Sequence, residues 1–203
     1  MTASPQNRRL FASVIALVGW VGLWTQFDAS YALTGGVAKT LWAMLRYFTV
    51  IVNLLVAILF TAIALGVPRF ASPFRLAGIT IAIMLVGVIY NTLLVGMTEL
   101  SGGAKVADII NHSVTPILVP LYWLFAAEKG HLKRHDPLLW ALLPLAYFGY
   151  ALARAAMDGI HAYPFINVER LGWGQTLANA AVMALGFLIA GYGLMWLDRK
   201  LRS

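Results

Sequence analysis

Residues 41–67 read LWAMLRYFTVIVNLLVAILFTAIALGV, and Arg46 is the only charge among them. The hydrocarbon core of a bilayer, about 30 Å thick, is crossed by about 20 apolar residues in a helix. This run therefore predicts a transmembrane helix, with Thr49 and Asn53 as polar groups inside it. Working outward, five further runs meet the same criterion: 10–27, 74–97, 106–127, 137–157 and 175–197. Short polar segments with turn residues separate them, and the longest connection lies between the fifth and sixth runs. The reading is an all-α, polytopic membrane protein: a six-transmembrane-helix bundle forming one membrane domain over residues 1–203.

Composition points the same way. Of 203 residues, 61% are hydrophobic and 11% charged. Soluble domains run at roughly 45–50% apolar and about 25% charged, so lipid is the expected solvent. Cysteine is absent, which excludes disulfides, thiol catalysis and thiolate metal sites. The net charge of +7 sits mainly beside helix ends, which sets membrane orientation more than it attracts nucleic acid. Arg8, Arg9, Arg69, Arg75, Lys129, Lys133, Arg134, Arg199, Lys200 and Arg202 fall on one side; Lys39, Lys105, Arg154 and Arg170 fall on the other. The excess predicts cytoplasmic N and C termini. Arg8-Arg9 before Leu10-Phe11 also hints at a twin-arginine signal. No small-residue cleavage site follows at the expected place, and the six-helix count works with this segment retained.

The polar residues within the runs are unevenly placed. At 1.5 Å per residue, Thr49 lies roughly 10 Å below the outer end of the second run, with Asn53 one turn deeper. Asn91 and Thr92 of the third run share that depth, as do Asn111, His112, Ser113 and Thr115 of the fourth. Tyr150 and Arg154 of the fifth run and Asn179 of the sixth approach the same layer. The cytoplasmic halves are almost wholly aliphatic. Polar groups in hydrocarbon are costly unless they pair or line a wet cavity. One outer layer drawn from five helices therefore reads as a shared pocket, or as a set of interhelical hydrogen bonds worth about 0.6 kcal/mol each.

His112 is the only histidine within an apolar run. His131 and His135 belong to a basic loop, and His161 to the long outer loop. Asp108 lies four residues before His112, on one helix face. It can hold one imidazole nitrogen and leave the other as a base, or it can cap the helix while His112 bonds a neighbour. Thr49 shares the depth of His112 and is the matching nucleophile, although a transmembrane threonine commonly bonds its own helix backbone. Arg46, one turn above Thr49, either snorkels to the interface or clamps an anionic group. Arg154 can do the same, or pair with Asp158. Asn53, Asn91 and Asn111 are supporting candidates as donors to a tetrahedral oxygen or as structural hydrogen bonders. Arg46, Tyr150, Arg154 and Asn179 are candidate substrate-binding residues.

The stretches Arg46-Tyr47-Phe48-Thr49-Val50-Ile51-Val52-Asn53-Leu54-Leu55 and Asp108-Ile109-Ile110-Asn111-His112-Ser113-Val114-Thr115-Pro116-Ile117 resemble the androgen-induced-gene family of integral-membrane threonine hydrolases. Tyr163-Pro164-Phe165-Ile166-Asn167-Val168 and Leu171-Gly172-Trp173 resemble its bacterial branch. The likeness covers nearly the whole chain, while Ile51 and Val52 stand where bacterial relatives often carry polar residues. The resemblance implies hydrolysis of fatty acid esters of hydroxy fatty acids, or similar acyl esters, in a bacterial cytoplasmic (inner) membrane. It implies Thr49 as nucleophile and His112 as base. The implied partners are membrane lipid and a fatty-acyl ester substrate, with no nucleic acid and an oligomeric partner left open. No cofactor or metal is expected, because no His and carboxylate cluster exists beyond Asp108 and His112. The contrasting reading is a non-catalytic lipid or small-molecule carrier using the same pocket.

Overall fold

A computed structural model describes residues 4–202, and the described chain is all-helical, with no strand. Helix α1 spans Pro5–Thr34, α2 Val37–Met44, α3 Phe48–Ala64 and α4 Pro73–Ile89. A π-helical turn, Tyr90–Leu94, continues α4. Helix α5, Gly102–Ile109, runs through a second π turn, Ile110–Val114, into α6, Thr115–Ala126. Helix α7 is Asp136–Asp158 and α8 is Val168–Lys200. Five of these spans are long and apolar enough to cross a membrane; α2 and α3 make a sixth if their bent pair is one span.

The ends follow local chemistry. Ser4 caps α1 by accepting the Asn7 N–H at 3.2 Å, with Pro5 in the first turn. Ser72 does the same for Arg75 N–H ahead of Pro73. These donors have no partner inside a helix, so a side-chain oxygen there is stabilising. The core joins Ala12 and Ile15 of α1, Val52, Val56 and Phe60 of α3, Ala82 and Ile83 of α4, and Val119 of α6. Outward faces carry exposed Leu17, Trp24, Ile58, Leu121, Leu145 and Ile189. Helices solvated by lipid have that pattern, and a water-soluble monomer would not sustain such continuous apolar surface.

The structure departs from the sequence reading in residues 41–67. Instead of one continuous helix, the chain breaks at residues 45–47, and α2 and α3 diverge by 101°. The N–H groups of Arg46 and Tyr47 reach only three residues back, to Ala43 and Met44 oxygens at 3.3 and 3.1 Å. Carbonyls freed by the break are taken up by α7. Arg154 donates to Trp42 O at 2.7 Å, Tyr150 to Leu45 O at 3.0 Å and Tyr147 to Arg46 O at 2.8 Å. Non-helical backbone at membrane depth is tolerated when protein groups satisfy it. A second departure lies at the other end, where α8 begins seven residues before the expected 175. It bends at Gly172, whose φ of 74° lies in the left-handed region that glycine enters freely.

Candidate active site

The break gives Thr49 its setting. It becomes the second residue of α3, in a first turn whose N–H groups lack helical partners. A hydroxyl in mid-helix would instead bond the carbonyl four residues back, as Thr80 and Thr92 do in α4 and its π turn. Thr49 is buried, and its Oγ1 lies 3.2 Å from His112 Nε2. The opposite ring nitrogen, Nδ1, is 2.9 Å from Asp108 Oδ1. A carboxylate only accepts, so Nδ1 carries the proton and Nε2 is left to accept from the threonine hydroxyl.

Two π turns face each other here, and single π turns inside helices recur at functional sites. The turn at Ile110–Val114 carries Asn111 and His112; that at Tyr90–Leu94 carries Tyr90 and Asn91. Tyr90 stacks on the His112 ring with centroids 3.7 Å apart and planes at 12°. Its hydroxyl donates to Asp108 Oδ2 at 2.6 Å. Both carboxylate oxygens are thereby engaged, and the imidazole is held by its edge and its face.

The asparagines build the frame around this chain. Asn53 Nδ2 donates to Thr49 O at 2.9 Å and Asn111 O at 3.2 Å. Asn111 Nδ2 donates to Gly22 O at 3.3 Å. Asn91 Nδ2 donates to Gly87 O at 2.8 Å and His112 O at 3.1 Å. Asn53 and Asn91 thus each give two amide hydrogen bonds to backbone carbonyls, and Asn111 gives one.

Each of the four expected substrate-binding residues, Arg46, Tyr150, Arg154 and Asn179, makes hydrogen bonds within the protein. Arg46 is buried in a two-pronged pair with Asp158, at 2.9 and 2.7 Å, and donates to Ile160 O at 2.5 Å. It reaches the wall of the site but is not free to clamp an anion. Arg154 stacks 3.7 Å over the Trp42 ring and, with Tyr150, satisfies the α2–α3 break. Asn179 donates to Phe165 O at 2.9 Å, tying the 159–167 connection to α8.

Two cavities meet at Thr49. The more polar chamber, of about 620 Å³, sets Gln26, Ser30, Asp108 and His112 among apolar residues such as Leu33, Met97 and Leu100. An apolar chamber of about 120 Å³ is lined by Phe48, Leu85, Ala141, Met183 and Phe187, among others. Thr49, Tyr90, Leu94 and Tyr163 belong to both walls. The sequence reading singled out neither Tyr90 nor Tyr163 as a site residue, although Tyr163 opens the string Tyr163–Val168. Tyr90 adjoins Asn91 in the polar layer, which was the one available signal; Tyr163 comes from a connection whose path only the fold sets. Burial raises the Tyr163 hydroxyl pKa and keeps it protonated. Among the described residues, no group of three or more His, Cys, Asp or Glu is placed to hold a metal ion.

Close backbone approach makes this geometry possible. A Cβ added at Gly22 would lie 2.5 Å from Ile110 Cγ2 and 2.7 Å from Asn111 Oδ1. Gly22→Val must therefore push the His112-bearing turn off α1. The expected result is a lower thermal unfolding temperature in detergent, with the protein still in the membrane fraction. Gly186→Val, where nothing lies within 4 Å, is the control and should unfold as the wild type does.

No family model, curated protein or solved structure matches the chain.

Proposed function

We propose that this chain is an intramembrane acyl-ester hydrolase with Thr49 as nucleophile and His112 as general base. The observation that carries the reading is the Thr49–His112–Asp108 hydrogen-bonded chain at the junction of a polar and an apolar chamber. A lipid carrier would use both chambers but gains nothing from a threonine hydroxyl aligned on an oriented imidazole. The resemblance to the androgen-induced-gene family supports the same chemistry and names fatty acid esters of hydroxy fatty acids as the substrate class.

In this reading the chain crosses a bacterial inner membrane six times, with α2 and α3 as one broken span and both termini cytoplasmic. The site then opens toward the periplasmic side. The acyl chain lies in the apolar chamber, and the alcohol portion and water occupy the polar one. His112 Nε2 takes the Thr49 hydroxyl proton as Oγ1 bonds to the ester carbonyl carbon and the π pair moves onto oxygen. Collapse of the tetrahedral species expels the alkoxide, which receives the proton from His112. A water, deprotonated by His112, then attacks the acyl-threonine and releases the fatty acid, and the threonine oxygen regains its proton. Asp108 holds the imidazole in the needed tautomer and stabilises its cationic form. Because Arg46 is committed to Asp158, a free carboxylate on the substrate is not what anchors it.

Labelling tests the assignment. A fluorophosphonate probe, applied to the full chain in detergent micelles, should form an adduct that peptide mapping places on Thr49, and His112→Ala should block it. An adduct at another residue, or undiminished labelling of Thr49→Ala, removes the mechanism.

A further inference from the structure

The reaction needs donors for the carbonyl oxygen as it becomes an oxyanion, and the Asn53, Asn91 and Asn111 amides already donate to backbone carbonyls. The surroundings of Thr49 contain two other groups. The first is the Thr49 backbone N–H. It lies in the first turn of α3, has no acceptor within the helix, and sits at the positive end of a 17-residue helix dipole. The second is the Tyr163 hydroxyl, whose oxygen accepts that N–H at 3.5 Å. The contact is at the long limit for a hydrogen bond, so a carbonyl oxygen entering beside Thr49 Oγ1 can draw both donors to itself.

Tyr163 is held where it is from several directions. Its ring stacks on Phe165 with centroids 5.1 Å apart and planes at 6°. It meets Tyr47 edge-on at 5.9 Å and Tyr147 at 6.4 Å. The connection that carries it is pinned at one end by Arg46 to Asp158 and Ile160 O, and at the other by Asn179 to Phe165 O. The three-residue turn Pro164–Ile166 follows directly, and Ile166 N–H returns to Tyr163 O at 3.2 Å. A preorganised donor of this kind costs little reorganisation when charge develops, which is the condition for strong stabilisation in a water-poor site.

We propose that the Tyr163 hydroxyl and the Thr49 backbone N–H together form the oxyanion hole, with Tyr163 a catalytic residue that donates a hydrogen bond to the substrate carbonyl oxygen. The assignment rests on the hydrolase reading. It explains why the outer connection folds back over the α2–α3 break: the Arg46–Asp158 pair fastens the tyrosine above the nucleophile. No proton leaves Tyr163 at any step. The carbonyl π pair moves onto oxygen while hydrogen-bonded to Tyr163 and returns to carbon on collapse.

The test uses the full-length protein in detergent, a p-nitrophenyl ester of a medium-chain fatty acid, and the corresponding thionoester, whose sulfur accepts hydrogen bonds weakly. Tyr163→Phe keeps the ring contacts and removes only the hydroxyl. The expected result is a fall in kcat of about 10²–10³-fold, the usual cost of one oxyanion donor, with KM changed by less than about threefold. The preference of the wild type for the oxygen ester over the thionoester should shrink by about tenfold or more in the variant. If Thr49→Ala abolishes turnover while Tyr163→Phe keeps kcat within about threefold, the Tyr163 assignment is wrong and the hydrolase reading stands. If kcat falls but the oxygen-to-sulfur preference is unchanged, Tyr163 only positions the connection, and the assignment is again overturned. A wild type without turnover on any acyl ester removes the hydrolase reading, and this inference with it.

Discussion

Thr49→Ala is expected to lower kcat for acyl-ester hydrolysis by about 10⁴-fold or more, and His112→Ala by a similar factor. Nucleophile and base act as one unit, and removing either in such a unit costs nearly as much as removing both. The double variant should therefore be no worse than either single one. Multiplicative losses would mean that the two residues serve separate functions, against a 3.2 Å contact between them. Folding should survive the threonine change. Its Oγ1 bonds the His112 ring and adjoins the Tyr163 hydroxyl, while the frame around it runs through Thr49 O and Asn53, which alanine preserves. Thr49→Ser is the informative companion. It keeps the hydroxyl and drops the methyl that crowds attack, so it should retain turnover within about tenfold of wild type. Equal inactivity of the serine and alanine variants would argue that this hydroxyl is not the attacking group.

Why the pair was legible from sequence, while much around it was not, has a physical explanation. Length and apolarity locate spans because lipid imposes one rule on every residue of a helix, and the expected runs coincide closely with the spans around α4, α6 and α7. Depth along a helix is a local quantity, so Thr49, Asn53, Asn91, Asn111 and His112 could be grouped from residue counting. The break at 45–47 is not local. Its carbonyls are satisfied by Tyr147, Tyr150 and Arg154, a hundred residues downstream, and no pattern within 41–67 announces that. The same distance hides the fate of Arg46, whose natural reading as a snorkelling or anion-binding group gives way to Asp158. The π turns carry no propensity signal. Their effect is to swing Tyr90 over His112 and Asn111 toward Gly22, contacts that a uniform 3.6-residue helix would not place.

The same geometry makes Asp108→Asn the other change with a large expected effect, a fall in kcat of about 10³–10⁴-fold with little change in KM. In hydrolytic triads the carboxylate orients the imidazole and stabilises its cation, and its amide replacement costs about 10⁴ where the wrong tautomer is enforced. Here the outcome turns on Tyr90. Its hydroxyl donates to Asp108 Oδ2, but a hydroxyl rotates and can accept as readily as it donates. An asparagine can then offer its NH₂ to Tyr90 and its carbonyl oxygen to His112 Nδ1, which keeps the working tautomer and loses only the charge. That places the loss toward the lower end of the range. In Tyr90→Phe, tyrosine's oxygen is gone, and only the bond of His112 Nδ1 to the residue 108 backbone carbonyl oxygen, at 3.1 Å, still favours the working tautomer. Asp108→Asn should therefore cost about tenfold more in the Tyr90→Phe background than alone, while Tyr90→Phe with Asp108 intact should cost only about tenfold. Simple multiplicativity of the two changes would show that Tyr90 does not govern the orientation of residue 108. Full activity of Asp108→Asn would show that His112 needs no carboxylate at all.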